Sequence, residues 1–198
     1  TSPLTAGTLG KVTDTTDDFG TDPDTDTESQ WLDDVELELV RGRVPMVYVE
    51  AVPVRLDEMG QLTHVGLLLR AMPDDTISRA IVSGRVLWGE TVRQALMRHL
   101  DKDLGPSAFP RIPLSPTPFT IAEYMPDPKR TGFHDPRQHA VSLAYIVPIE
   151  GECQPSQDAL DFAWVTNVEA AGFAVSGEMT GGQDRIVRRA LGHAGRLP

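Results

Sequence analysis

Apolar positions in this chain come in short alternating or continuous runs, separated by Gly and Pro. The pattern predicts a β-rich fold crossed by one amphipathic helix. VPMVYVEAVPVRL (44–56) reads as a first strand, in which Pro53 marks an edge or a bulge. A turn at Asp57–Gly60 leads to QLTHVGLLLRAM (61–72), a second strand. Ile77 to Val82 reads as a short third strand ending at Ser83-Gly84, and a helix follows over 89–104. Beyond a Pro-rich connection (106–118), FTIAEYMP (119–126) is a strand, 127–138 a polar loop, and HAVSLAYIVPIE (139–150) and LDFAWVT (160–166) two more strands. Short and longer helices are predicted over 167–172 and 182–194, and another short one after Thr27, with Trp31, Leu32 and Val35 on one side. Strands, a loop–helix, further strands and a final helix predict an α/β (α+β) fold. It is an α/β/α sandwich with a mixed β-sheet and helices on both faces.

Composition changes the picture mainly at the N-terminus. Of the net charge of −11, residues 1–38 carry −10, with eleven acids against Lys11. The remainder is close to neutral. Residues 1–26, rich in Thr, Asp and Gly, hold too little apolar surface to offset the entropy of ordering. The expected organisation is an acidic segment over 1–30 and a single domain over 31–198. The balance of charge argues against nucleic acid as a partner, since a phosphate backbone needs clustered Lys and Arg. No apolar run is long enough to span a membrane. The N-terminus lacks the basic-then-apolar order of a secretory signal. The single Cys153 fits a reducing cytoplasm and is expected to be inert.

The central helix carries the candidate chemistry. At about 100° per residue, Val92, Leu96, Leu100 and Leu104 form a drifting i, i+4 stripe flanked by Ala95, which suits a helix packed on a sheet. His99 and Asp103 fall in the same sector, Lys102 at its edge and Arg98 one step further out. Polar groups inside an apolar sector are costly unless paired or facing a cleft. An internal His99–Asp103 pair at i, i+4 spacing accounts for the pattern without any function.

The spacing adds a second reading. Residues 84–105, GRVLWGETVRQALMRHLDKDLG, resemble a Nudix box: Gly, five residues, Glu, seven residues, then Arg-Glu-U-x-Glu-Glu-x-Gly, where U is a bulky aliphatic. Gly84, Glu90, Arg98, Leu100 and Gly105 stand at matching positions. His99, Lys102 and Asp103 stand where the family has three Glu. The downstream stretches FHDPRQHAVSLAYIVPIEG (133–151) and DFAWV (161–165) resemble strands of Nudix members near the ADP-ribose pyrophosphatase group. The resemblance covers 44–192 and implies a Nudix-like fold. It also implies pyrophosphate hydrolysis of a nucleoside diphosphate-linked compound, assisted by Mg²⁺ or Mn²⁺. In those terms Gly84 opens the loop and offers its carbonyl to the metal, Glu90 is the first acid, and Arg98 orients nearby carboxylates. Asp103 offers one hard oxygen to the ion. Lys102 repels an ion or replaces its charge at a phosphate, and His99 is a softer ligand. With two acids lost and one cation gained, weak metal binding is expected. The alternative is a non-catalytic Nudix-fold domain that binds a nucleotide or a protein.

Lesser candidates keep two readings each. Trp88 stacks on a base or ribose, or caps the core. Asp135 and Arg137 face an anionic ligand or pin their own turn. Glu123 and Asp127 offer acids from outside the box. The expected partner is a nucleotide or nucleoside diphosphate derivative, with no nucleic acid and no membrane, and a homodimer is compatible with this. His64, His134, His139 and His193 show no zinc spacing. GEMTGG (177–182) reads as a helix-start turn.

Overall fold

Met46–Leu56 supplies the strand, β1, around which the sheet is built. In the computed structural model, which describes residues 31–71, 76–155 and 159–195, its stretch from Val49 to Val54 is buried. Burial on both faces is what a strand covered by helices on either side requires, and it explains the nearly unbroken apolar run. One edge of β1 pairs in parallel with β7 (Ala140–Pro148). The other edge is shared: β4 (Val82–Arg85) pairs with Tyr48–Ala51 and β2 (Leu62–Ala71) with Val54–Leu56, both antiparallel. Pro53 sits where β1 leaves one antiparallel partner and meets the other, so it is neither on an edge nor at the register shift, which falls between Arg55 and Leu56.

β3 (Ile77–Ala80) and β8 (Asp161–Thr166) flank β2, while β5 (Thr120–Met125) extends the sheet beyond β7 and carries the two-residue β6 (Phe133–His134). The sheet is mixed, with order β3-β2-β1-β7-β5-β6.

Two apolar layers enclose it. On one face α2 (Val92–Leu104) packs Ala95, Leu96, Leu100 and Leu104 against Val49, Ala51, Leu68, Tyr145 and Val147. On the other, α4 (Asn167–Ala171), α5 (Phe173–Gly177) and α6 (Gln183–His193) cover Val52, Val54, Val65, Leu67 and Ala144. This is the expected α/β/α arrangement. Two short helices, α1 (Asp34–Arg41) and α3 (Pro128–Thr131), lie outside these layers and bury no residue. Among the described residues, no helix is long and apolar enough to cross a membrane.

Several elements differ from the sequence reading. The single strand over 77–82 is two, broken at Ile81, because the chain crosses there from the side of β2 to the side of β1. The loop over 127–138 holds α3, capped by Asp127, and β6. Trp31 and Leu32 precede α1, and Val35 is exposed. The central helix starts at Val92 because Thr91 caps it, exchanging hydrogen bonds with Gln94. α5 has no counterpart in the apolar pattern. The acidic segment over 1–30 lies outside the described residues.

Candidate functional site

The loop between β4 and α2 is tied to the helix by one carboxylate. Glu90 Oε1 accepts from Arg98 Nε at 2.7 Å, and Oε2 accepts from Arg98 Nη2 at 2.7 Å and from the Leu87 amide at 2.9 Å. Arg98 Nη2 also donates to the Arg85 carbonyl at 2.9 Å. A forked, two-bond Arg–carboxylate pair fixes orientation as well as distance. Burial pushes the Glu90 carboxyl up. The Arg98 hydrogen bonds, the Leu87 amide and the Arg98 charge outweigh it and hold the carboxyl below its ordinary value. The structure thus brings Glu90 and Arg98 together as the spacing predicts.

His99 is inside, at 8% exposure, and its Nε2–H donates to the Arg85 carbonyl at 2.9 Å. Burial first, then the charges of Arg98 and Lys102, push its pKa down, against the Arg85 bond and Glu90. It is therefore a neutral ring at pH 7. The same ring explains Gly84, which lies within β4, paired with Val49, rather than in the loop. A Cβ at Gly84 would stand 1.8 Å from His99 Cε1. Gly105 ends the helix at φ 82°, a conformation L-residues rarely adopt, with the Gln154 carbonyl 2.8 Å from where a Cβ would be.

Asp103 is more deeply buried, at 2% exposure, and accepts from Arg70 Nη2 at 2.7 Å. Its partner is thus on β2, and His99 bonds β4. Beyond the i, i+4 pair that the spacing allowed, both polar groups thus reach from the helix to the sheet. Lys102 is exposed on the neighbouring helical position.

The remaining predicted residues do not join this group. Trp88 is 88% exposed in a turn and caps no core. Glu123, exposed on β5, accepts from or shares a proton with His139 Nε2 at 2.9 Å. Asp127 caps α3. Asp135 accepts a forked pair from Arg137, at 2.9 and 3.0 Å, and the Arg137 amide at 3.0 Å, so the turn is pinned by its own ion pair. Burial raises the Asp135 pKa, and the Arg137 and Gln138 contacts bring it below the ordinary value. Cys153 is half-buried, and burial pushes its thiol up to about 11, far from a thiolate at neutral pH. A cleft of about 350 Å³ runs along Met97 and Asp101 of α2 to Phe109, Arg111 and Glu150; of the candidate residues named in the box it includes Gly105 and none of Glu90, Arg98, His99, Lys102 or Asp103.

Three groups escape the sequence reading. Arg70 is one, although a cation closing the apolar run GLLLR is visible there. Trp31 reads in the sequence only as a helix residue, yet its ring lies under Arg85 and Arg98, at 5.6 and 5.5 Å from their guanidinium carbons. The third is Glu50, a lone acid inside VYVEAVPV. It is 1% exposed on the α6 side of the sheet, where Oε1 accepts from Tyr124 Oη at 2.7 Å and Gln183 Nε2 at 3.0 Å. Ser142 is close enough to favour its charge, but neither Ser142 Oγ nor Glu50 Oε2 completes a hydrogen bond. Burial outweighs these neighbours and raises the Glu50 pKa.

A divalent cation of the kind implied by the box resemblance needs several hard oxygen ligands around one point. The residues at the box do not fit it. Asp103 is ion-paired with Arg70, His99 is committed to Arg85 O, and Lys102 is cationic. Among the described residues no three of His, Cys, Asp and Glu group as a metal site would.

Known proteins resolve the family. Residues 27–196 match the model described as "Domain of unknown function (DUF4916)". No curated protein matches the sequence. A solved structure described as a possible asymmetric diadenosine tetraphosphate (Ap4A) hydrolase from Jonesia denitrificans is 56% identical, with a TM-score of 0.77 over 79% of this chain and 98% of that one. The NUDIX domain of Shewanella oneidensis NrtR, complexed with ADP ribose, is 15% identical, with a TM-score of 0.56 over 76% of this chain and 89% of that one. A C. elegans Ap4A hydrolase is 13% identical, with a TM-score of 0.55 over 77% and 99%. The last two share the fold with this chain. With its box frame, its α/β/α layers and a relative sharing more than half its residues, the chain belongs to the DUF4916 family within the Nudix hydrolase superfamily.

Proposed function

We propose that this chain takes a nucleoside diphosphate-linked compound at the box, with the pyrophosphate facing the loop and helix and hydrolysis of that pyrophosphate as its reaction. The observation that carries this is the intact frame. The Glu90–Arg98 pair, bound to Leu87 and Arg85, holds the loop against the helix at box spacing. The 56% identical relative is itself described as a possible Ap4A hydrolase, which favours a dinucleotide polyphosphate among the candidates. In this reading Trp88, 88% exposed beside the box, offers a face for a base or ribose, and Lys102 offers its charge to phosphate. A homodimer remains compatible with it.

A specific observation favours a second reading, recognition without turnover: Asp103, the acid best placed to hold an ion, is held by Arg70 at 2.7 Å. Incubating the purified chain with ADP-ribose, nucleotide sugars and dinucleotide polyphosphates, with Mg²⁺ or Mn²⁺ and with EDTA, separates the two. Turnover that falls on Asp103→Ala supports the hydrolase. Thermal stabilisation without turnover supports the binder. Absence of both turnover and stabilisation with every compound sinks the nucleotide reading.

A further inference from the structure

The acid that the box retains is already matched to a cation from the chain itself. Arg70 follows Leu68 by two residues on β2, so the alternation of the strand places both on the face covered by α2. There its Nη2 donates to Asp103 Oδ2 at 2.7 Å, and its Nε is buried without a hydrogen bond. Burying an ion pair costs the hydration of both partners, and removing one partner strands the other charge. A divalent ion approaching Asp103 would have to displace the guanidinium and leave it in that position without its carboxylate. The other box acid, Glu90, is likewise held, by Arg98 and the Leu87 amide.

We propose that Arg70 is the resident cation of the box: its guanidinium stands at Asp103 in place of a divalent ion, and the box takes up neither Mg²⁺ nor Mn²⁺. Three family carboxylates require an external cation. Here the buried Asp103 already carries the Arg70 guanidinium as its counter-charge, and that guanidinium is what a phosphate at the box would meet. A guanidinium presents planar paired donors that fit a phosphate as well as a carboxylate. The phosphate part rests on the nucleotide reading above; the cation part does not.

The test is a Mn²⁺ titration of the full chain followed by electron paramagnetic resonance, in which bound Mn²⁺ disappears from the free-ion signal. The wild type is expected to leave the free signal undiminished, and its thermal midpoint is expected to be the same in EDTA and in Mn²⁺. A site that binds Mn²⁺ in the wild type and is lost on Asp103→Asn would overturn the proposal. Combining Arg70→Gln, His99→Glu and Lys102→Glu restores carboxylates and removes both cations. That variant, checked for folding by circular dichroism, is expected to gain one Mn²⁺ site. A folded triple variant with no Mn²⁺ site would overturn the role given to Arg70. If the triple variant does not fold, the wild type and Asp103→Asn still decide. No readout uses a nucleotide, so a chain that binds no nucleotide leaves this test intact.

Discussion

At the scale of single residues, the polar side chains of the box are each met by a particular partner. Asp103 meets Arg70, and Glu90 meets Arg98 and an amide. His99 loses its charge and donates to a carbonyl. Glu50 and Ser142 stand apart, since Glu50 Oε2 and Ser142 Oγ are buried without a hydrogen bond. The raised pKa of Glu50 has a defined sign. Below the carboxyl range both folded and unfolded chains hold the proton, and its contribution to stability is fully present. As pH rises, the unfolded chain releases the proton first, and the contribution is lost up to the folded pKa. Glu50→Gln, which keeps an acceptor for Tyr124 and Gln183 and cannot ionise, is therefore expected to raise the thermal midpoint at pH 7. The gain should shrink toward zero as pH falls into the carboxyl range. Calorimetry across pH checks this, and a Glu50→Gln variant less stable than wild type at pH 7 but equal at low pH contradicts it.

At the scale of elements, β4 and α2 are fitted to one another through a missing side chain. The His99 imidazole lies where a Cβ of Gly84 would be, so the strand and the helix approach as closely as glycine permits. Gly84→Ala is expected to cost about 1–3 kcal/mol, the usual range for overpacking a tight contact. In a His99→Ala background, with the ring gone, the same substitution should cost close to nothing. Urea denaturation of the four chains measures the coupling, and equal costs in both backgrounds would show that His99 does not set the spacing. The pairing of glycine and histidine here was not legible along the chain. The two residues are fifteen positions apart in sequence, and only the docking of α2 on β4 makes one the reason for the other.

At the scale of the whole molecule, β1 is the organising strand. It is flanked by β7 on one edge and by β4 and β2 on the other, and covered by helices on both faces, whereas α1 buries no residue. Native-state hydrogen exchange is expected to leave the amides of Val49, Ala51 and Val52 among the last to exchange and those of Val35 to Leu39 among the first. Comparable protection in the two segments would place α1 in the cooperative core. Alternation and apolar runs by themselves determined the strands, the central helix and the layered class, because burial on a sheet face leaves a period in the chain. The box spacing determined that Glu90 and Arg98 meet, because a loop and a helix start are local. Only the tertiary structure decided what the polar residues of that helix do. Arg70 reaches Asp103 from a strand 33 positions earlier, and Trp31 covers Arg98 from before the domain's first strand. Partners chosen by the packing of separate elements leave no period and no fixed spacing in the chain.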